Sequence, residues 1–371
     1  MDQRDVIVVG AGIVGLSAAR ALAGAGARVV VVDRARPGSE ASAAAAGWLA
    51  AQAEAEETWP LLDVALRARE GYPSLAAELQ AETGIDVELT RRGTLEVAFT
   101  DEDERTLARR LGWQRARGLA VERLRPEDAL RAEPDLGPAL RGALLFRDDL
   151  SVDNVRLTRA LAASAAARGA VVLTERPVGG LLVADGRVAG VKAGGETLKA
   201  PVVIEAMGAW SAGLDGDPQP PPVEPVRGQI LVFEPGRPTL RHVVCTARGY
   251  IVPRAGGRLL AGSTLERAGF VNETTPEGRR AVQRIAVEIA PMLAEVPVAE
   301  SWAGLRPGTR DGLPVIGPGA MPGLFHATGL YRNGILLGPL VGQAVARLAL
   351  GAPPGIDLAP FSLSRFRKGD D

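Results

Sequence analysis

Apolar positions recur along this chain in three rhythms, and each predicts a different element. Val6–Val9 is an unbroken apolar run, and Arg28–Val32 is another after its first residue, the pattern of parallel strands covered on both faces. Gly84–Thr90 and Gly93–Phe99 alternate apolar with polar residues, as paired strands do. Helical spacing over Trp59–Thr83, Asp101–Arg117, Val155–Arg168 and Glu277–Leu293 predicts helices, and another opens at Asn333–Gly334 and runs to Leu350. Asp153 or Ser151 can cap the helix that starts at Val155. Leu181–Val191 predicts a hairpin about Asp185–Gly186. Short strands are expected at 142–146, 170–173, 201–211, 229–233, 242–245, 250–252, 259–261 and 324–329. The order strand, helix, strand, hairpin, strand from Gly142 to Ser211 predicts an extension of the first sheet.

Between the first two apolar runs lies Gly10–Ala–Gly12–Ile13–Val14–Gly15, with the spacing G-x-G-x-x-G. The first glycine permits a sharp turn, the second lets a pyrophosphate approach the backbone, and the third lets helix and strand pack closely. A helix starting here aims free N–H groups and a positive dipole end at phosphates. Asp33 ends the second strand about 20 residues on, where a carboxylate binds a ribose hydroxyl. Its charge disfavours a 2′-phosphate. The pattern predicts a Rossmann-type unit for an adenine dinucleotide, and both FAD and NAD satisfy it. After Asp33, Glu40–Ala41–Ser42, four alanines and Gly47 place small residues where backbone can lie flat against a cofactor.

Composition narrows the partners. The chain has 371 residues, 46% apolar and 23% charged, with a net charge of −1. That suits a soluble protein of two domains and offers no electrostatic footprint for nucleic acid. Cys245 is the one cysteine, and His242 and His326 are the two imidazoles, so neither a disulfide nor a metal centre is expected. No stretch approaches the roughly 18 apolar residues of a membrane span. The apolar start reads as a strand rather than a leader, which predicts a cytoplasmic protein. A homo-oligomer stays open.

The end of the chain separates FAD from NAD. A strand closes on Gly329, and Arg332–Asn333–Gly334 then open a helix, giving a second helix N-terminus far from the first. Such a positive end can face the C2 carbonyl of an isoalloxazine and stabilise charge on the reduced ring. A nicotinamide enzyme has no need of it.

With these motifs the chain resembles the D-amino-acid oxidase family of flavoproteins, on its glycine oxidase branch. The resemblance covers nearly the whole chain. It rests on Val8–Val9–Gly10–Ala11–Gly12–Ile13–Val14–Gly15, Glu40–Ala41–Ser42, Gly249–Tyr250–Ile–Val–Pro253–Arg254, Trp302–Ala–Gly–Leu–Arg306–Pro–Gly308 and Arg332–Asn–Gly–Ile–Leu–Leu337. It implies an α/β protein whose three-layer Rossmann-type FAD domain is joined to an antiparallel-sheet α+β substrate domain. The expected division gives 1–85, 146–215 and 305–371 to FAD, and 86–145 and 216–304 to substrate. The implied reaction is oxidative deamination of glycine, sarcosine or a small D-amino acid. Hydride passes to flavin N5, and dioxygen reoxidises the flavin to give hydrogen peroxide. Supply of an imine for thiamine thiazole synthesis is implied as well.

By the same resemblance, Arg306 pairs with the substrate carboxylate, Tyr250 donates its hydroxyl to it, and Arg332 lies near substrate and flavin. The residues implied to hold FAD are Gly10, Gly12, Ile13, Val14 and Gly15, then Asp33, Arg34, Ala41, Ser42 and Gly47. Val178, Gly208, Trp210 and the run Arg332, Asn333, Gly334, Ile335, Leu336 and Leu337 complete them. Read as residues alone, each arginine has a structural ion pair as its alternative, and Tyr250 an ordinary place in a strand. Cys245 and His326 are expected to be structural. Arg248 stands where relatives carry a histidine, two residues before the tyrosine, and is expected at the substrate mouth. So are the alanines after Glu40–Ala41–Ser42. Two other functions stay open: an FAD-dependent D-amino-acid dehydrogenase passing electrons to a quinone or other acceptor, and a flavin-bearing binding protein without turnover.

Overall fold

A computed structural model of the chain describes residues 4–366. At its centre is a six-stranded sheet in the order Val315–Pro318, Leu324–Thr328, Val202–Glu205, Val6–Val9, Val29–Val32, Val171–Leu173. Every neighbouring pair is parallel except the first. Successive side chains of a strand point to opposite faces, and both faces of this sheet are covered. Val6, Val8, Val29 and Val31 pack against the helices Ile13–Gly24, Leu62–Thr83, Asn154–Ala167 and Gly334–Ala349. Ile7, Val9, Val30 and Val32 pack against Leu181, Val188 and Val191 of a three-stranded sheet made of Val178–Ala184, Arg187–Ala193 and Glu196–Lys199. These are the three layers, and they explain why the first two strands have no polar position. Helices Ile13–Gly24 and Gly334–Ala349 approach closely at Gly342, where a Cβ would stand 2.5 Å from that of Ser17.

The second large sheet has eight strands, in the order Val298–Gly308, Glu224–Phe233, Leu259–Gly262, Gly249–Pro253, Val243–Thr246, Thr94–Ala98, Gly142–Phe146 and Glu122–Leu124. All neighbours are antiparallel except Val243–Thr246 with Thr94–Ala98. Helix Pro276–Ile289 lays Val282, Ala286 and Ile289 on one face, its start capped by Thr275, whose Oγ1 accepts the Gly278 N–H at 3.1 Å. Helix Asp101–Ala116 starts from a reciprocal capping box between Thr100 and Asp103. Two of the eight strands cross positions where the sequence suggested a division: Gly142–Phe146 runs through 145/146 and Val298–Gly308 through 304/305.

Four elements differ from expectation, the simplest being the strand expected over 201–211, which ends at Glu205 and gives way to a 3-10 helix at Gly208–Gly213. Gly84–Thr90 is not a strand. Asp86 Oδ1 accepts the Glu88 N–H at 2.8 Å, and Glu88 takes a left-handed φ of 52°, so an Asx turn overrides the alternation. The hairpin about Asp185–Gly186 forms, but it pairs with Glu196–Lys199 and lies across the parallel sheet instead of extending it. The helix expected to reach Leu293 ends at Ile289, because Ala290 precedes Pro291 and is driven to extended backbone at φ −134°, ψ 90°. Among the described residues no helix is long and apolar enough to cross a membrane.

Candidate active site

The first strand ends on Gly10, whose φ of +109° suits glycine alone and where a Cβ would collide with Ala206 O. A Cβ on Gly15 would collide with Gly10 O, so the helix rests directly on the turn. Gly12 is the N-cap and brings no side chain. Ser42 Oγ accepts the Ile13 N–H at 3.0 Å, and the next first-turn N–H groups have no intrahelical acceptor. Asp33 has both oxygens engaged: Oδ2 accepts the Ala11 N–H at 2.6 Å and Oδ1 the Ala35 N–H at 2.8 Å. Arg34 pairs with Glu40 and lies 3.7 Å over the Trp210 ring, which stacks on Phe270 at 5.5 Å. Val178 opens the three-stranded sheet and is half-buried.

Beyond the glycine turn lies a cavity of about 1100 Å³, its open mouth included. It gathers Gly12, Ile13, Val14, Ala41, Ser42, Gly47 and Gly208 with Tyr250, Arg306, Arg332, Gly334 and Ile335. Gly10, Gly15, Asp33, Arg34, Val178, Trp210, Asn333, Leu336 and Leu337 are not in its wall. The side chains of Leu336 and Leu337 are buried in the helical core. What they can offer a ligand is their N–H groups at the start of Gly334–Ala349.

Arg306 lies opposite Val226 in the second sheet. Its guanidinium lies over Gly228, where any Cβ would collide with it. Nη2 donates to Ser263 Oγ at 2.6 Å and Nη1 to Thr264 O at 3.2 Å. Both acceptors are neutral, and among the described residues Arg306 has no ion-pair partner. Burial draws its pKa below the ordinary arginine value. A half-buried cation whose hydrogen-bond acceptors are all neutral is a site short of one anion. Tyr250 packs on Trp48 with ring centroids 5.3 Å apart, and its Oη lies over Gly262, 3.0 Å from where a Cβ would stand. That hydroxyl makes no hydrogen bond among the described residues.

Arg332 is different. Nε donates to Glu54 Oε1 at 3.0 Å, and Nη2 donates to the same oxygen. The Glu54 charge holds the guanidinium pKa above its usual value. Arg332 therefore sits in an ion pair, inside the cavity wall. Arg248 is not at the mouth. It is held by Asp103 at 2.9 Å and Glu288 at 2.8 Å, and it does not line the cavity. Cys245 is buried in its strand, where burial pushes the thiol pKa up. His326 is fully buried, with Nδ1 3.2 Å from Glu205 Oε2 and Nε2 3.5 Å from Asp217 Oδ2.

Several wall residues carried no sequence expectation: Trp48, Glu54, Gly228, Ser263 and Tyr331. Gly228 had a usable signal, since a glycine inside a strand marks a close approach. Glu54 had none. Arg254, quoted only as part of a motif, braces the wall. Its Nη2 donates to Ala46 O at 2.9 Å and to Asn154 Oδ1 at 2.7 Å, and Nη1 donates to Val152 O. Asn154 Nδ2 in turn holds Ser42 O at 2.7 Å and Ala43 O at 3.0 Å.

Residues 5–348 match the protein family described as FAD dependent oxidoreductase. The chain belongs to that family. This FAD-dependent oxidoreductase is 38% identical over 366 residues to glycine oxidase of Geobacillus kaustophilus, covering 97% of each chain. It is 36% identical over 370 residues to glycine oxidase of Pseudomonas aeruginosa, covering 98% of this chain and 99% of the other. The crystal structure of the Geobacillus glycine oxidase superimposes with a TM-score of 0.94 at 37% identity, covering 98% and 99% of the two chains. The flavoenzyme's cavity suits its cofactor FAD on physical grounds. No side chain rises from the glycine turn, small residues (alanine, Ser42 and Gly47) form the wall from Ala41 to Gly47, and two helix N-termini flank the space.

Proposed function

We propose that this flavoenzyme oxidises small α-amino acids, among them glycine, sarcosine and small D-amino acids. The imine formed hydrolyses to a 2-oxo acid and ammonia, or methylamine where the substrate is sarcosine, and dioxygen is reduced to hydrogen peroxide. One observation carries the reading: the half-buried Arg306 guanidinium lines the cavity among neutral acceptors and lacks a carboxylate. A substrate carboxylate completes it, and the planar fork of arginine suits a two-oxygen anion. The Tyr250 hydroxyl is a second donor for the same group. Holding the carboxylate at two points orients the α-carbon and makes the reaction effectively unimolecular.

Bound FAD supplies the two-electron oxidation and the reaction with dioxygen. The first-turn N–H groups of Ile13–Gly24 and Gly334–Ala349, with Ala41, Ser42, Gly47 and Gly208, are the groups that would hold it. Among the described wall residues there is no histidine, and the one carboxylate, Glu54, is engaged by Arg332. The substrate amine therefore reacts as the neutral amine after losing its proton to solvent. On this reading 1–85, 146–215 and 305–371 form the FAD domain, which also lends Arg306 to the substrate, and 86–145 and 216–304 form the substrate domain. The outer ends of these ranges run past the described residues. Action in the cytoplasm, with the imine feeding thiamine thiazole synthesis, belongs to the same reading.

The test is an aerobic panel of glycine, sarcosine, D-alanine and D-proline read by peroxide. Peroxide formed in step with consumption of at least one of them is expected. Turnover with an artificial acceptor alone makes the protein a dehydrogenase, and silence with every amine under both conditions overturns the proposal.

A further inference from the structure

The cavity holds two guanidinium groups, and the turn that neutralises one of them is unusually well fixed. Glu54 follows Gln52 and Ala53, whose N–H groups are accepted by Asp149 Oδ1 at 3.1 Å and Oδ2 at 3.0 Å. Asp149 is fully buried, and burial raises its pKa to about 6 against the pull of the Ala53 N–H and Arg69. Arg69 Nη1 bonds Gln52 Oε1 at 2.7 Å and Asp149 Oδ1 at 3.3 Å. From the other side, Arg110 donates to Ala53 O and pairs with Glu96 at 2.9 Å. The backbone that carries Glu54 is thus held in place by buried charge pairs, each of them costly to open. Arg306, Arg332 and Glu54 also share one electrostatic space, since Arg332 lowers the Arg306 pKa and Glu54 raises it.

We infer that Glu54 is a specificity-determining residue: by occupying Arg332 it withholds the second guanidinium, so the cavity takes a ligand with one carboxylate, on Arg306, and rejects one with two. A second carboxylate entering the space meets the Glu54 charge before it meets a free cation. The inference rests on Arg306 being the carboxylate site. Removing the Glu54 charge converts a one-anion pocket into a two-anion pocket without touching Arg306.

The experiment titrates the FAD-loaded enzyme with acetate and with malonate and reads the flavin absorption spectrum, so it needs no turnover. In the wild type acetate binds at least tenfold tighter than malonate. In Glu54→Gln the malonate-to-acetate affinity ratio rises at least tenfold, and the gain disappears when Arg332→Gln is added. Glu54→Ser gives the same change if the glutamine variant does not accumulate. The kcat/KM ratio of iminodiacetate to glycine rises in parallel. A merely structural Glu54 weakens both ligands together, so an unmoved ratio overturns the inference, as does a gain that survives Arg332→Gln. Arg306→Gln separates the two readings. If it leaves acetate binding intact, the carboxylate site itself is wrong and this inference falls with it. If it abolishes acetate binding while the ratio in Glu54→Gln stays unmoved, Glu54 alone is misassigned.

Discussion

The two ends of the cavity handle charge in opposite ways. At the glycine turn the side-chain carboxylate is satisfied within the protein: Asp33 accepts two backbone N–H groups, and Ser42 covers the Ile13 N–H. What that end offers a ligand is shape and helix N–H groups. At the Arg306 end a full cation is left among neutral acceptors. The first end tolerates no added atom, and the second tolerates no lost charge. A substitution at one end should therefore leave the other end's property intact.

The largest effect is expected from Arg306→Ala. Truncating one partner of a buried, hydrogen-bonded charge pair costs about 2–5 kcal/mol. That is roughly 30-fold to several thousandfold in kcat/KM for amino-acid substrates, at about 1.4 kcal/mol per tenfold. FAD per protein should stay unchanged, and steady-state kinetics with an absorption spectrum measure both. Loss of FAD in this variant would break the division between the two ends. Gly15→Ala is the reciprocal change. Its Cβ collides with Gly10 O, and overpacking of this kind costs about 1–3 kcal/mol or more. The variant should purify with less FAD and a lower Tm, while the fraction that keeps FAD shows the wild-type KM. Stoichiometric FAD and an unchanged Tm would show that the turn has slack the geometry does not reveal.

This contrast also sets what could be read from the sequence. Shape at the glycine turn is local: Gly10, Gly12, Gly15 and the flanking valines lie within a few residues of one another, and their spacing carries the geometry. Charge at the other end is assembled across the chain. Glu54 meets Arg332 over 278 positions, from an alanine-rich stretch with no periodicity to read. Arg306 was legible through its motif, but its lack of an ion-pair partner was not, since a sequence does not show which carboxylates stay away. Gly84–Thr90 misled because one Asx turn at Asp86 outweighs a period-2 pattern. The hairpin at Asp185–Gly186 was legible as a hairpin, but which sheet it joins depends on Glu196–Lys199, which pairs with its second strand.

Arg248 sharpens the boundary of the charged end. Burial raises the Asp103 carboxyl pKa, but the hydrogen bonds from Arg248, Phe99 and Thr100 outweigh it and hold the value at about 2, well below the ordinary carboxylate range. A carboxylate whose folded pKa is depressed stabilises the fold above its unfolded pKa and loses that contribution as pH falls through the folded one. For Asp103 the amount is about 2 kcal/mol, at about 1.36 kcal/mol per pKa unit. It is fully present above about pH 4 and lost toward pH 2. Arg248→Ala should thus lower stability by about 1–2 kcal/mol at pH 7. The gap to the wild type should narrow as pH drops below about 4, in denaturant melts across that range. Substrate KM at pH 7 should not move, because Arg248 is tied to Asp103 and Glu288 outside the cavity.

The smallest effect is expected from Arg34→Ala, and it tests the glycine end. The sequence put Arg34 against FAD, whereas the structure lays its guanidinium 3.7 Å over Trp210 and pairs it with Glu40. Both partners of that ion pair are more than a third exposed, at 41% and 37%. Exposed ion pairs and exposed cation–π contacts are each worth about 0.5–1 kcal/mol. Stability should therefore fall by no more than about 2 kcal/mol, and FAD affinity by less than about fivefold in a fluorescence titration. A tenfold or greater loss of FAD affinity would mean that this end, too, binds through a charged side chain. In that case the contrast between a shape-determined and a charge-determined end would hold only within the cavity, and the surface around Arg34 and Trp210 would have to be counted with the cofactor site.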